Sequence, residues 1–190
     1  MPDVAPLRAY EYPREQHARR HGPQGYNTYE SFRPWLRDEF AFRCVYCLDR
    51  ERWTRSTFHL DHVTPQAIRP EKSLDYDNLV YSCAKCNLAK GGARLPLGPD
   101  EVAFGQALKV EDDGRIVALT PVGESLRDVF LLDSDENTGH RARWLRVLRI
   151  LFDSERELYR EYMRFPDDLP DLSARRPPSN TRLEGVAQSW

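Results

Sequence analysis

Little in this 190-residue chain points to a secreted, membrane-embedded or disulfide-stapled protein. Cysteine is sparse, and four residues are too few for a disulfide scaffold. The amino terminus, Met1-Pro2-Asp3-Val4-Ala5-Pro6-Leu7-Arg8, lacks the charged-then-apolar pattern of a secretion signal. No apolar run approaches the roughly 20 residues that span a bilayer. A cytoplasmic protein with no membrane partner is therefore expected. A strong charge of either sign is missing too, since 28 Lys and Arg stand against 30 Asp and Glu for a net charge of −2. Domains that hold nucleic acid by bulk electrostatics show a clear basic excess. Here residues 1–100 carry only +2 and the remainder −4. With 40% hydrophobic residues the chain has enough apolar material for one ordinary domain and its extensions.

What is present is concentrated. All four cysteines fall in two CxxC pairs, Cys44-Val45-Tyr46-Cys47 and Cys83-Ala84-Lys85-Cys86. In a reducing compartment paired CxxC units favour a metal over a disulfide or a redox site, and four thiolates suit a tetrahedral Zn²⁺. A zinc ion with four cysteine ligands has no open position, so its role would be structural. Between the pairs lies His59-Leu60-Asp61-His62-Val63-Thr64-Pro65, and Asn87 follows the last cysteine. These side chains are free to hold a second, harder cation.

The punctuation of the chain suggests its organisation. Residues 1–27, rich in Pro, Gly, Arg and Tyr without periodicity, read as an irregular arm. Tyr29, Phe32, Trp35, Leu36 and Phe40 mark one helix face, and Pro34 fits best in the first turn of a helix running from about Phe32 to Phe40. Thr57–Val63 reads as a short strand, 67–77 as a loop, Asn78–Ser82 as a second strand, and Cys83–Lys90 as a helix stopped by Gly91-Gly92. Asp-Gly in Glu111-Asp112-Asp113-Gly114, between Ala107–Val110 and Arg115–Leu119, signals a β-hairpin. A helix from Gly139 to Arg164 would turn Trp144, Leu148, Leu151, Leu158 and Tyr162 inward and Arg149, Arg156 and Arg160 outward, with Ser154 able to cap a second helix should it break. Residues 166–190, with four prolines, read as a flexible tail.

Cys44-x-x-Cys47, Asp61-His62-x-x-Pro65, Asp77-Asn78-Leu79-Val80 and Cys83-x-x-Cys86-Asn87-x-x-Lys90, in that order, resemble the HNH endonuclease family over roughly residues 29–92. The resemblance implies an α+β fold: a ββα-metal nuclease core at 28–98 with a structural zinc site, then a hairpin-and-helix extension at 99–165 packed on it. It makes His62 the general base, Asp61 and Asn87 the ligands of one catalytic divalent ion, and Asn78 the residue that holds the loop and orients His62. With Asn87 on the helix the chain is similar to an H-N-N variant. It implies 5′-phosphate and 3′-hydroxyl products.

The chemistry asks for these residue types independently. Phosphodiester hydrolysis needs a base for water and a cation for charge developing on phosphate. Histidine titrates close enough to neutrality to be that base, while a carboxylate and an amide oxygen suit Mg²⁺ or Mn²⁺. His59, two residues before Asp61 on one strand face, is a further candidate for a catalytic contact, against hydrogen bonding to backbone. Lys90, one helical turn beyond Asn87, would meet phosphate or lie solvated at the helix end. DNA contact would rest on Arg43, Arg50, Arg52 and Arg55. His17, His21 and His140 read as ordinary surface histidines. The competing reading is a catalytically silent, zinc-dependent nucleic-acid-binding module. Cutting both strands with a single site would need a homodimer or two visits.

Overall fold

The computed structural model describes residues 9–54, 56–95 and 97–175. It is a mixed α+β molecule built on two small antiparallel sheets. Strands β1 (Phe58–His62) and β2 (Leu79–Cys83) pair from Phe58↔Cys83 to His62↔Leu79. Helix α2 (Ala84–Lys90) follows without a linker, because Cys83 both ends β2 and caps the helix, its Sγ accepting from the Cys86 amide at 3.5 Å. Gly91, at φ +51°, turns the chain out of the helix.

Ahead of this unit, α1 (Arg33–Glu39) begins with Pro34 in its first turn and buries Trp35 and Leu36. Ala41 and Phe42 then adopt positive φ of 54° and 56°, which reverses the chain into the first cysteine pair. The amino-terminal segment from residue 9 is irregular, as its composition suggests, but it does not stand off as an arm. Ala9, Tyr10 and Tyr12 lie in the core, and Glu39 of α1 accepts hydrogen bonds from the amides of Arg20 (2.7 Å) and His21 (2.9 Å).

The histidines outside the motif are corrected by the same packing. His21 is fully buried with Nε2 2.6 Å from Asp38, His17 pairs with Glu39 at 3.0 Å, and His140 lies 3.3 Å from Asp49. Their carboxylate partners are 17 to 91 residues away in sequence, so no local pattern announced them.

On the carboxyl-terminal side, α3 (Phe104–Ala107) leads into the hairpin β3 (Leu108–Val110) and β4 (Ile116–Ala118). Helix α4 (Pro121–Val129), absent from the sequence reading, is capped by Thr120, whose hydroxyl accepts from the Gly123 amide. Helix α5 (Asp135–Ser154) starts earlier than expected, because Ser134 caps it. The chain breaks at Glu155 before α6 (Arg156–Met163). Ser154 closes α5 and does not cap α6, and the break rotates the register: Tyr159 and Met163 point inward while Leu158 is exposed.

Aromatic stacking joins this extension to the cysteine region, with Tyr46 on Phe130 at 3.7 Å and Trp53 on Trp144 at 5.0 Å between ring centroids. Residues 166–175 dock rather than trail, Asp168 pairing with Arg37 at 3.0 Å and Tyr26 donating to the Arg175 carbonyl at 2.7 Å. Residues 176–190 of the expected tail lie outside the described residues.

Candidate metal centre and active site

The two CxxC turns meet at one point. The four Sγ atoms of Cys44, Cys47, Cys83 and Cys86 lie within 4.8 Å of one another, all buried, with Cys47 and Cys83 3.7 Å apart. Sulfurs around a tetrahedral zinc at about 2.3 Å stand about 3.8 Å apart, so the donor set and its spacing suit such an ion. The first turn is shaped for this: Leu48 donates its amide to the Cys44 carbonyl at 3.0 Å and adopts φ +66°. The neighbouring Cys44 thiol, together with burial, pushes Cys47 and Cys86 up, while hydrogen bonds from the surrounding thiols, led by Cys44, pull Cys83 down. Four thiols crowded this closely give up their protons together only when a cation takes their place.

The strand ending in Asp61-His62 is tied to both cysteine turns. Asp61, 5% exposed, accepts a 2.7 Å hydrogen bond from the Tyr46 hydroxyl at Oδ2 and pairs with Lys90 Nζ at Oδ1, also at 2.7 Å. Lys90 donates as well to the His62 carbonyl at 2.5 Å. Lys90 is thus neither solvated nor open to phosphate as the sequence suggested; it is 3% exposed. Burial, then the adjacent Asp61 carboxylate, pushes the Tyr46 hydroxyl up, so it stays a donor.

His62 faces the other way from Asp61. Its Nε2 lies 3.1 Å from the Ser73 carbonyl and 3.1 Å from the Gln66 side-chain amide, and the Tyr29 ring meets it edge-on with centroids 5.0 Å apart. A carbonyl only accepts, so the Ser73 contact calls for the tautomer with its proton on Nε2 and its lone pair on Nδ1; the Gln66 amide nitrogen, which faces the same atom, must then turn away from it.

The loop that presents Ser73 is held by Asn78, 6% exposed. Its Oδ1 accepts from the Thr64 amide (2.8 Å), and its Nδ2 donates to the carbonyls of Thr64 (3.1 Å) and Lys72 (3.2 Å).

Asn87 is half-buried, one turn before Lys90, and its side chain has no hydrogen bond among the described residues. Asn87 and Lys90, three residues apart on α2, lie near one face of the helix, and Lys90 from that face reaches Asp61. His59 sits opposite Ser82, half-buried, with no side-chain hydrogen bond among the described residues.

The arginines do not form the contact set expected of them. Arg50 is 3% exposed, donates to the Met163 carbonyl at 3.1 Å, and is pushed down to about 9 by burial and by the Arg43 charge. Arg43 bridges to Arg50 across the cysteine turn, and Arg52 pairs with Glu161 and Asp167. Arg55 lies outside the described residues. Tyr46, Ser73 and Gln66 were missed; only Lys90, by its spacing from Asn87, gave any signal in the sequence.

Residues 44–92, which run from the first cysteine through α2 to Gly92, are matched by the family model for HNH endonuclease. The match covers 49 of the 190 residues, and it is this segment that is similar to the HNH endonuclease family. Members of that family are generally nucleases, and the HNH domain here points to action on, or binding of, nucleic acid. No curated protein matches the chain. Among the described residues, no helix is long and apolar enough to cross a membrane.

Proposed function

We propose that the HNH domain hydrolyses phosphodiester bonds in DNA. His62 acts as general base through Nδ1, and the observation that carries this reading is the 3.1 Å contact of its Nε2 with the Ser73 carbonyl. That contact fixes the ring and leaves a basic nitrogen, while Asn78 positions the loop through Thr64 and Lys72. Asp61 and Asn87 would hold one Mg²⁺ or Mn²⁺, which when bound neutralises charge on the phosphate. Cys44, Cys47, Cys83 and Cys86 would hold a structural Zn²⁺. His59, two residues before Asp61 and so on the same face of β1, would serve as an auxiliary group.

The test is a plasmid-nicking assay with Mg²⁺ or Mn²⁺ on the wild type and on His62→Ala. Removing a general base should lower the rate by about 10²- to 10⁴-fold. A wild type that binds DNA but cuts none with either metal refutes the enzyme reading and leaves a silent zinc-dependent binding module. This reading gives each copy one such site, so double-strand cleavage would proceed by a homodimer or by successive nicks. A cytoplasmic location belongs to the same reading, because a reducing compartment keeps paired cysteines available to a metal ion.

A further inference from the structure

Lys90 is the last residue of α2, yet its ammonium is withdrawn from water. The Lys90 and Asp61 side chains are 1% and 6% exposed, the Nζ–Oδ1 distance is 2.7 Å, and the second Asp61 oxygen is covered by Tyr46. A charge this far from solvent is costly unless it is paired. Two cations are on offer: the ammonium already there, and the divalent ion that Asp61 would bind in the nuclease reading.

We propose that Lys90 is a built-in cation for Asp61, neutralising the carboxylate in the metal-free protein and giving it up when a divalent ion binds. The inference rests on the assignment of Asp61 as a metal ligand. The two cations repel each other and compete for Asp61 Oδ1, so Lys90 sets how strongly the site binds metal. Its position permits the exchange. The stem is flexible, the ammonium holds only Asp61 and the His62 carbonyl, and the Gly91-Gly92 turn that follows it in the chain is exposed. Asp61 thereby has two settings, closed on Lys90 or open to the ion, with the Tyr46 hydrogen bond common to both.

The decisive experiment is amine-selective labelling of the zinc-loaded wild type, read lysine by lysine by mass spectrometry with and without Mn²⁺. Lys85, 46% exposed, serves as the reference. Without Mn²⁺, Lys90 should label about tenfold or more slowly than Lys85, because it reacts only from an opened state. With saturating Mn²⁺ its rate should rise several-fold while Lys85 is unchanged.

Lys90→Met, which keeps the stem and removes the charge, should bind Mn²⁺ about tenfold or more tightly, the scale on which one neighbouring charge alters a carboxylate's affinity for a cation. A Lys90→Met protein that folds only with Mn²⁺ supports the proposal equally, and one that neither folds nor is rescued by Mn²⁺ counts against it. Lys90 labelling that ignores saturating Mn²⁺, or Lys90→Met binding no tighter than wild type, overturns it. Plasmid nicking separates the two ideas. Nicking with Lys90 still protected sinks the exchange alone, and Mn²⁺-driven release without nicking sinks the nuclease reading alone.

Discussion

Asn78→Ala is the sharpest probe of how the loop beside His62 is held. The substitution removes one acceptor and two donor contacts at once, leaving the Thr64 amide and the carbonyls of Thr64 and Lys72 without their partner. A hydrogen bond contributes a net of about 0.5–1.5 kcal/mol, so three amount to about 3 kcal/mol; Asn78 is 6% exposed, which limits replacement by water. The loss should be local before it is global, since the loop from Thr64 to Ser73 has no strand or α-helix of its own. Urea denaturation would give the stability change, and hydrogen exchange at the Thr64 amide the local one. Nicking by the variant should fall even at temperatures where it remains folded, because the Ser73 carbonyl that orients His62 follows Lys72 directly. A stability loss under about 0.5 kcal/mol, or unchanged protection at Thr64, would refute the clamp.

Three further outcomes are expected. Burial alone would push Glu39 up, but hydrogen bonds from His17 and from the amides of Arg20 and His21 outweigh it and hold the carboxyl at about 2 rather than 4.5. That depression is worth about 3 kcal/mol. It is fully present above pH 4.5 and lost as pH falls toward 2, so Glu39→Gln should lower stability at pH 7 and flatten urea midpoints across that window. Cys44→Ser or Cys86→Ser should lose the bound metal by elemental analysis and melt far below the wild type, while Asn87→Ala keeps its melting temperature and loses Mn²⁺-dependent nicking; an unchanged melt in the cysteine variants would argue against a structural ion. Gly123→Ala drives a Cβ into the Ala107 carbonyl oxygen, so α4 must shift at a cost of about 1–3 kcal/mol by thermal melting.

The ββα arrangement was legible because local signals agree over that stretch: apolar runs of strand length, a cysteine pair at a helix start, and two glycines at its end. The convergence of the cysteines followed from their spacing. What the sequence hid depends on tertiary closure. Arg50 reads as a surface contact until the chain folds back and buries it against Trp53 and Met163. Leu158 reads as core only while α5 and α6 are taken as one helix, and a single non-helical residue, Glu155, moves it to solvent. Lys90 shows the same limit at the site itself, since its distance from Asn87 is local information and its partner, Asp61, is 29 residues away.

Tyr46 reveals why the first cysteine turn does more than gather sulfurs. It occupies the spacer between Cys44 and Cys47, so its backbone is fixed by the turn that gathers the sulfurs, and its ring is clamped on Phe130 of the carboxyl-terminal extension. Its hydroxyl then reaches Asp61 at 2.7 Å, so the orientation of that carboxylate depends on the closed cysteine cluster and on the extension together. Tyr46→Phe separates these links. The ring and its stacking remain, and only the hydroxyl is lost, at a cost of about 1.5–3 kcal/mol for a hydrogen bond to a charged group. Metal content at the cysteines should be unchanged, while Asp61, left with Lys90 as its side-chain partner, should on the proposed role as ligand bind Mn²⁺ more weakly and support slower nicking. Calorimetric Mn²⁺ titration beside zinc analysis distinguishes the cases: if Tyr46→Phe binds Mn²⁺ and nicks DNA as the wild type does, the cysteine turn acts on the fold alone and not on the site.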